Sequence, residues 1–453
     1  MPNLILQNSR IPILIKLTYL TTPFFIISLL MLNACGQKQE SVQENNSPKE
    51  TIMTINDIAA KYVKLTLKVG QHHSSYIDAY YGPKEWQPTG EPVELDKLKK
   101  LSEQLLIDIK QVQVSQDQEQ RKQFLQIQLQ SVLVFIRQLL KEPLSFKQES
   151  LGLYDAISPE INIAELDVVL NKLAQLLPGE QPLNEKYSEF QNQFIIDTTK
   201  LDIVFQAAIN EARQRTKQHI TLPEQENFTV EYVNNKVWSG YNWYKGDSYS
   251  LIQLNTDFPI YIDRAIDLAS HEGYPGHHVF NSQMEQHLVI NKGWIEYSVY
   301  PLFSPISLLA EGSANYGIQV VFNTKDRLKF EQEVLFPLAG LDANKAQKYY
   351  QIQALKEELS YIDNHVAAQY LDGVIDKDQA IELLMKYSLV SFKKAQQRIG
   401  FIEANRAYVI NYNLGQDLVR KYVDKLTEAG GDEVRWQVFA ELLANPKTAS
   451  MMK

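Results

Sequence analysis

His271-Glu272-Gly273-Tyr274-Pro275-Gly276-His277-His278 is the stretch of this chain best equipped for chemistry. Three of the eight histidines fall within it, beside a glutamate. Two imidazoles and a neighbouring carboxylate are the parts of a hydrolytic zinc site: the rings bind one ion, and the glutamate takes a proton from water activated there. In the common arrangement the histidines stand four apart on a helix. Here the second follows six residues after the first at His277, or seven at His278. In a regular helix, at ~1.5 Å rise per residue, that spacing leaves the rings about two turns apart. The segment is therefore expected to bulge. Pro275 supplies a reason, since it cannot donate to the helical ladder and crowds the carbonyl four residues back. His277 is the preferred second ligand. His278 is the alternative, or else supports the site or faces substrate.

A zinc catalyst needs a third ligand and one open position. Glu311, an acid among Leu308, Leu309, Ala310 and Gly312, is the candidate, because a carboxylate there is costly unless paired or ligating. Its other reading is a core carboxylate bonded to a tyrosine or arginine. Gly312 and Ser313 beside it are expected to let the histidine helix come close. For a donor to the developing oxyanion, Tyr408, Tyr412 and Arg406 are the candidates.

The elements that must position these residues are mostly helices. Apolar residues recur at three and four from Ile58 to Val69, from Leu98 to Ile109, from Leu125 to Leu139, from Ile163 to Leu177 and from Tyr187 to Thr216. Between Asn227 and Asn255 the pattern alternates (Phe228, Val230, Tyr232, then Tyr244, Tyr249, Leu251), which predicts a small antiparallel sheet. Trp243, Tyr244, Tyr249 and Asn255 stand on it, and by analogy with known zinc peptidases an edge strand there is expected to face an extended peptide. Thr256 or Asp257 is expected to cap the helix that carries His271, with Pro259 in its first turn. Ser304-Pro305 opens the helix of Glu311. Helices follow over 342–363, 365–371, 377–386, 391–410, 415–429 and 433–443. The fold class is mainly α: a large multi-helix fold with the small antiparallel sheet beside the site helices. Residues about 54–220 form scaffold helices, and 221–453 hold the sheet and the zinc-site helices.

His-Glu-x-x-Pro-Gly-His-His, followed by Glu-Gly-x-Ala-x-Tyr from Glu311, resembles the bacterial family named domain of unknown function 885, regarded as zinc-metallopeptidase-like with a gluzincin-type architecture. Tyr80-Tyr81-Gly82-Pro83, Leu254-Asn255-Thr256-Asp257-Phe258-Pro259 and Tyr408 through Gly415 extend the likeness over nearly the whole chain. The resemblance implies His271, His277 and Glu311 as zinc ligands and Glu272 as general base. The chain departs from the family at Ser313 and Ile318, where tryptophan and glutamate are usual.

Composition narrows the class further. A formal net charge of −9, with no basic block, excludes a general nucleic-acid role. A single cysteine excludes an intramolecular disulfide and any multi-thiolate zinc site. That residue, Cys35, ends an uncharged run from Leu17 to Ala34 preceded by Arg10 and Lys16, and Leu32-Asn33-Ala34-Cys35 resembles a bacterial lipobox. The implied layout is a signal peptide over 1–34, a lipid on Cys35, a polar tether over 35–53 and a folded domain over 54–453. Gly36 after the cysteine favours the outer membrane, facing the periplasm. The alternative is an uncleaved anchor, which also tethers the protein to a membrane. The expectation is a membrane-tethered zinc hydrolase, most simply a peptidase on short peptides. Hydrolysis of another amide or ester, or a non-catalytic binding role, would suit the same residues.

Overall fold

Thr54 opens the folded chain with a capping box: its hydroxyl accepts from the Asp57 amide while the Asp57 carboxylate accepts from Thr54. The computed structural model describes residues 53–453 except 237 and 429. The expected signal segment, the Cys35 lipobox and nearly all of the tether lie outside the described residues. Among the described residues no helix is long and apolar enough to cross a membrane.

The first half holds helices α1 (Ile55–Gly70), α2 (Leu95–Gln111), α3 (Glu119–Leu139), α4 (Phe146–Tyr154), α5 (Ile163–Leu176), α6 (Leu183–Gln191) and α7 (Leu201–Lys217), with strand β1 (Ile77–Tyr80) after α1. Strands β2 (Asn227–Val233), β3 (Gly240–Gly246) and β4 (Tyr249–Asn255) follow. Helix α8 (Asp263–Leu268) runs into a π-helical turn (Ala269–Gly273), and α9 (His277–Met284) resumes after it. Strand β5 (Val299–Pro301) leads into α10 (Pro305–Val321). The remainder comprises α11 (Thr324–Phe330), α12 (Phe336–Ala339), α13 (Ala346–Glu357), α14 (Ile362–Leu371), α15 (Lys377–Tyr387), α16 (Phe392–Asn405), α17 (Ile410–Thr427) and α18 (Asp432–Ala444). The class is mainly α, as the periodicity predicts.

β3 and β4 pair antiparallel, and β2 joins parallel to β4, giving the order β2-β4-β3 with β3 on an edge. β1 and β5 form a separate antiparallel pair.

Two apolar cores fill the fold. One joins Ile58, Tyr62, Leu125, Phe135 and Leu173 of the early helices to Ile352, Val366, Ile399 and Ile410 of the late ones. The other joins Val204 and Phe205 of α7 to Ile266, Phe280, Tyr316 and Phe439. Helices α10 and α17 belong to both: Leu308 and Leu414 face the first, while Leu309, Tyr316 and Val419 face the second. The two helices cross closely where glycines face each other. A Cβ on Gly312 would stand 2.8 Å from Gly415 Cα, and one on Gly415 would stand 2.6 Å from the Leu308 carbonyl oxygen. The close approach at Gly312 is thus to α17, not to the histidine helix. That helix meets α10 a turn later, where a Cβ on Gly317 would lie 3.1 Å from Pro275.

Several boundaries differ from the periodicity. The helix expected from Tyr187 to Thr216 is two. β-branched Ile195 and Ile196 run extended against Tyr261 and Ile260, and Asp197 then accepts from the Thr199 amide to open the next segment. Pairing with that strand also delays α8, so Asp257 is no helix cap. Its carboxylate accepts the Lys236 amide at 3.2 Å instead. The helix expected from Gly415 begins at Ile410, because Gly415 serves a helix crossing and not a start.

Candidate metal centre

The π-helical turn and the break after it bring the two expected histidines together. His271 lies within the turn, the Tyr274–Pro275 peptide is cis, and His277 is the first residue of α9. Gly276 closes the loop: its amide donates to the Ser270 carbonyl at 2.9 Å, and a Cβ there would overlap the His271 carbonyl. His271 Nε2 and His277 Nε2 stand 3.1 Å apart with their rings edge to face. Glu311 reaches the same point from α10, its carboxylate oxygens 3.2 Å from His271 Nε2 and 3.7 Å from His277 Nε2. His271, His277 and Glu311 thus converge as a possible ligand set, with all three largely buried.

The surrounding hydrogen bonds fix how these groups present themselves. Asn315, one turn beyond Glu311, donates its amide N–H to the Tyr412 carbonyl at 3.1 Å and turns its oxygen to His271 Nδ1 at 2.9 Å. His271 must then carry its proton on Nδ1, which leaves the Nε2 lone pair facing the cluster. Tyr408 donates to Glu311 Oε1 at 2.7 Å, while Glu311 Oε2 is buried without a hydrogen-bond donor among the described residues. Burial opposes the ionised form of Glu311, while positive charge on the side of the two imidazoles favours it and draws its pKa well below the ordinary range. Two ring nitrogens and a carboxylate oxygen facing one another with an unfilled acceptor fit a divalent cation, and imidazole with carboxylate is a donor set that zinc accepts.

Glu272 sits beside this cluster. Its backbone carbonyl accepts from Asn242 of β3 at 2.7 Å, and a Cβ on Gly240 would lie 2.8 Å from its carboxylate. Burial raises its pKa to about 7; His277 and Arg264 pull downward, Glu311 and Asp78 upward. Asp78 is a residue that spacing did not reveal. It occupies a register shift in the β1–β5 pair, between Ile77 and Ala79, and such bulges re-aim side chains. Its carboxylate accepts from Tyr241 of β3. Burial lifts its pKa to about 6, against the Tyr241 bond and His277 and together with Glu311.

The other expected residues part company. His278 is fully buried and points away from the cluster, its Nδ1 2.9 Å from Ser250 and its Nε2 3.2 Å from Glu226. Burial lowers its pKa, so the ring is neutral: Ser250 donates to Nδ1, and Nε2–H donates to Glu226. Glu226 also accepts from Tyr274 at 2.6 Å and from Arg213 at 2.7 Å. Burial would raise this carboxyl, yet the bonds from His278, Tyr274 and Arg213 hold it near 2. Residues 274 and 278 are thereby anchored on either side of His277. Tyr408 serves Glu311 and is not free to meet a substrate. Arg406, expected beside the substrate, pairs with Glu149 at 2.8 Å, because that buried acid of α4 requires a cation. Asn255, placed likewise, is taken up within the segment before β3: it donates to the Lys236 and Trp238 carbonyls at 3.0 and 2.9 Å. The Tyr412 hydroxyl has no hydrogen-bond partner among the described residues. Burial and the nearby Glu311 push its pKa well up, so it stays a neutral donor.

The outer face of edge strand β3 carries Tyr241 and Trp243, ring centroids 4.5 Å apart, with Trp238 5.5 Å from Tyr241. Tyr244, by contrast, is buried behind the strand. Asn315 could have been read from the sequence, since it lies four residues after Glu311 and so on the same helix face.

No protein family matches the sequence, and no curated protein matches it. Among solved structures, a protein from Colwellia psychrerythraea designated a lipoprotein by inference superposes with a TM-score of 0.49 at 16% identity, over 81% of this chain and 70% of its own. A second so designated, of unknown function and from Shewanella oneidensis, gives a TM-score of 0.44 at 12% identity, over 77% and 72% of the two chains.

Proposed function

We propose that this chain is a lipid-anchored zinc metallohydrolase that cleaves short peptides. The observation that carries the reading is the convergence of His271 Nε2, His277 Nε2 and the Glu311 carboxylate, with the unbonded Glu272 carboxyl alongside. His271, His277 and Glu311 would hold the ion. When bound, zinc supplies Lewis acidity toward a carbonyl and makes water a stronger acid. The rest of the chemistry belongs to the side chains. Glu272 accepts the proton of the attacking water and returns it to the leaving amine, a role suited to a carboxyl with an elevated pKa. Tyr412, the neutral hydroxyl without a hydrogen-bond partner among the described residues, donates to the oxyanion. Edge strand β3, beside Glu272 at Gly240, offers unpaired backbone groups to an extended peptide, and Tyr241 and Trp243 give it an aromatic wall. Anchoring rests on the sequence alone, through the Leu17–Ala34 run and Cys35.

Glu272→Gln tests the assignment. The variant is expected to keep zinc at one ion per chain and to lose hydrolysis of a peptide panel by at least about 100-fold, the scale of a lost general base. A variant with full activity, or wild-type protein that takes up no stoichiometric zinc, would overturn the reading.

A further inference from the structure

The peptidase reading leaves one group of half-buried cations without a use. Lys394 and Arg398 stand four residues apart on α16 and Phe401 three further on, so the three share one face of that helix. This face leads to the metal centre: the Arg398 guanidinium lies 5.5 Å from the Phe401 ring, and Phe401 lies 6.3 Å from Tyr412. Tyr412 in turn is 5.8 Å from Tyr408, the donor to Glu311. Arg264 arrives from α8. A Cβ on Gly240 would meet both Leu268 and Glu272, at 2.9 and 2.8 Å, so positions 264, 268 and 272, spaced by four, follow one side of that segment. The charge of Arg264 accordingly acts on both Glu272 and Lys394, and that of Arg398 on both Tyr412 and Lys394.

These cations are unequally neutralised. Arg398 pairs with Asp363. Arg264 reaches Asp267 at 3.4 Å, and Asp267 also serves Arg327 at 2.8 Å. Lys394 has no ion-pair partner among the described residues. Its ammonium donates to the Gln397 side-chain oxygen at 2.7 Å and lies 4.2 Å from the Phe258 ring centroid. Burial, followed by the charges of Arg398, Arg264 and Lys356, brings its pKa down to about 8. A partly buried ammonium among three further cations is costly without an anion, and an anion bound there would relieve that cost.

We propose that Lys394, with Arg264, forms a subsite that holds a carboxylate of the substrate at the Glu272–Tyr412 end of the metal centre, above the Phe258 ring. The substrate class is then a short peptide with a carboxylate close to its scissile bond. This rests on the peptidase reading for its purpose, but not for its test.

The test is calorimetric binding without turnover, on full-length protein carrying Glu272→Gln, with three probes: alanyl-phenylalanine, its C-terminal amide, and glutamyl-phenylalanine amide. The free acid is expected to bind at least about tenfold more tightly than its amide, the worth of one hydrogen bond to a charged group. Lys394→Gln is expected to erase that preference while leaving amide binding unchanged, and Lys394→Arg to restore it. Tight binding of glutamyl-phenylalanine amide assigns the carboxylate to a side chain, and weak binding assigns it to the C-terminus. Equal affinity for all three probes, or a carboxylate preference that survives Lys394→Gln, overturns the subsite. A carboxylate preference in a protein without zinc or hydrolysis keeps the subsite and discards the peptidase. Peptide hydrolysis indifferent to the carboxylate does the reverse.

Discussion

Replacing Asn315 should change zinc affinity without touching a ligand. In the native arrangement its amide N–H is committed to the Tyr412 carbonyl, so its oxygen holds the proton of His271 on Nδ1. Asn315→Ala removes that acceptor. A neutral imidazole is then free to place its proton on Nε2, where the lone pair must face the ion, and the ring loses the bond that sets its rotation. Loss of such a partner typically lowers metal affinity about 10- to 100-fold, which is roughly 1.4 to 2.8 kcal/mol. Asn315→Asp keeps an acceptor at 2.9 Å and adds negative charge behind the ring, while giving up the bond to Tyr412. It should bind zinc at least as tightly as wild type. Competition with a chromophoric chelator at fixed pH measures both, and melting in excess chelator shows that the apo fold survives. If Asn315→Ala binds zinc like wild type, or Asn315→Asp is as weak as the alanine variant, the tautomer argument is wrong.

Glu226 makes stability depend on acid. Its folded pKa of about 2 lies below the ordinary 4.5, so its contribution is complete above pH 4.5 and is lost as pH falls toward 2. The shift corresponds to roughly 3 kcal/mol. Urea titrations should show the gap between wild type and Glu226→Gln narrowing across that window; a constant gap refutes it. Gly312→Ala should cost about 2 to 3 kcal/mol by forcing α10 from α17, and should weaken zinc binding through the Tyr408–Glu311 bond. Gly400→Ala, whose Cβ meets nothing within 4 Å, is the control and should be neutral or stabilising in a thermal melt. Cys35→Ser should abolish incorporation of labelled palmitate into the protein; incorporation equal to wild type would exclude the lipid anchor at Cys35.

The helices were legible because most are amphipathic and long, and Ser304-Pro305 marked the start of α10 as read. Proximity of His271, His277 and Glu311 was legible because few arrangements make that spacing useful other than a bulged helix facing a buried acid. What spacing could not show was anything decided by partners remote in sequence. Asp78 enters through a strand irregularity set by pairing with β5, and Gly415 reads as a helix start unless its meeting with Gly312 is known. Arg406 and Asn255 have the right chemistry for a site, but Glu149 and the carbonyls of Lys236 and Trp238 claim them first. His278 has the same atoms as His277, and Ser250 and Glu226, 28 and 52 residues earlier, determine which way it faces.

The hydrogen bonds that tune the cluster come late. His271, His277 and Glu311 leave the ribosome well ahead of Tyr408 and Tyr412, since both bonds from the α10 segment to that region span 97 residues. During synthesis, all three donors therefore exist before Glu311 has its phenol or Asn315 has the carbonyl that fixes its orientation. Contacts of such long range form slowly, because the intervening loop must close first. A nascent chain that captured a cation early would hold it with an unfixed His271 tautomer and an unsupported carboxylate. On the proposed reading, full affinity belongs to the finished chain, and a translation product stopped before Tyr408 would carry His271, His277 and Glu311 without the bonds that orient them.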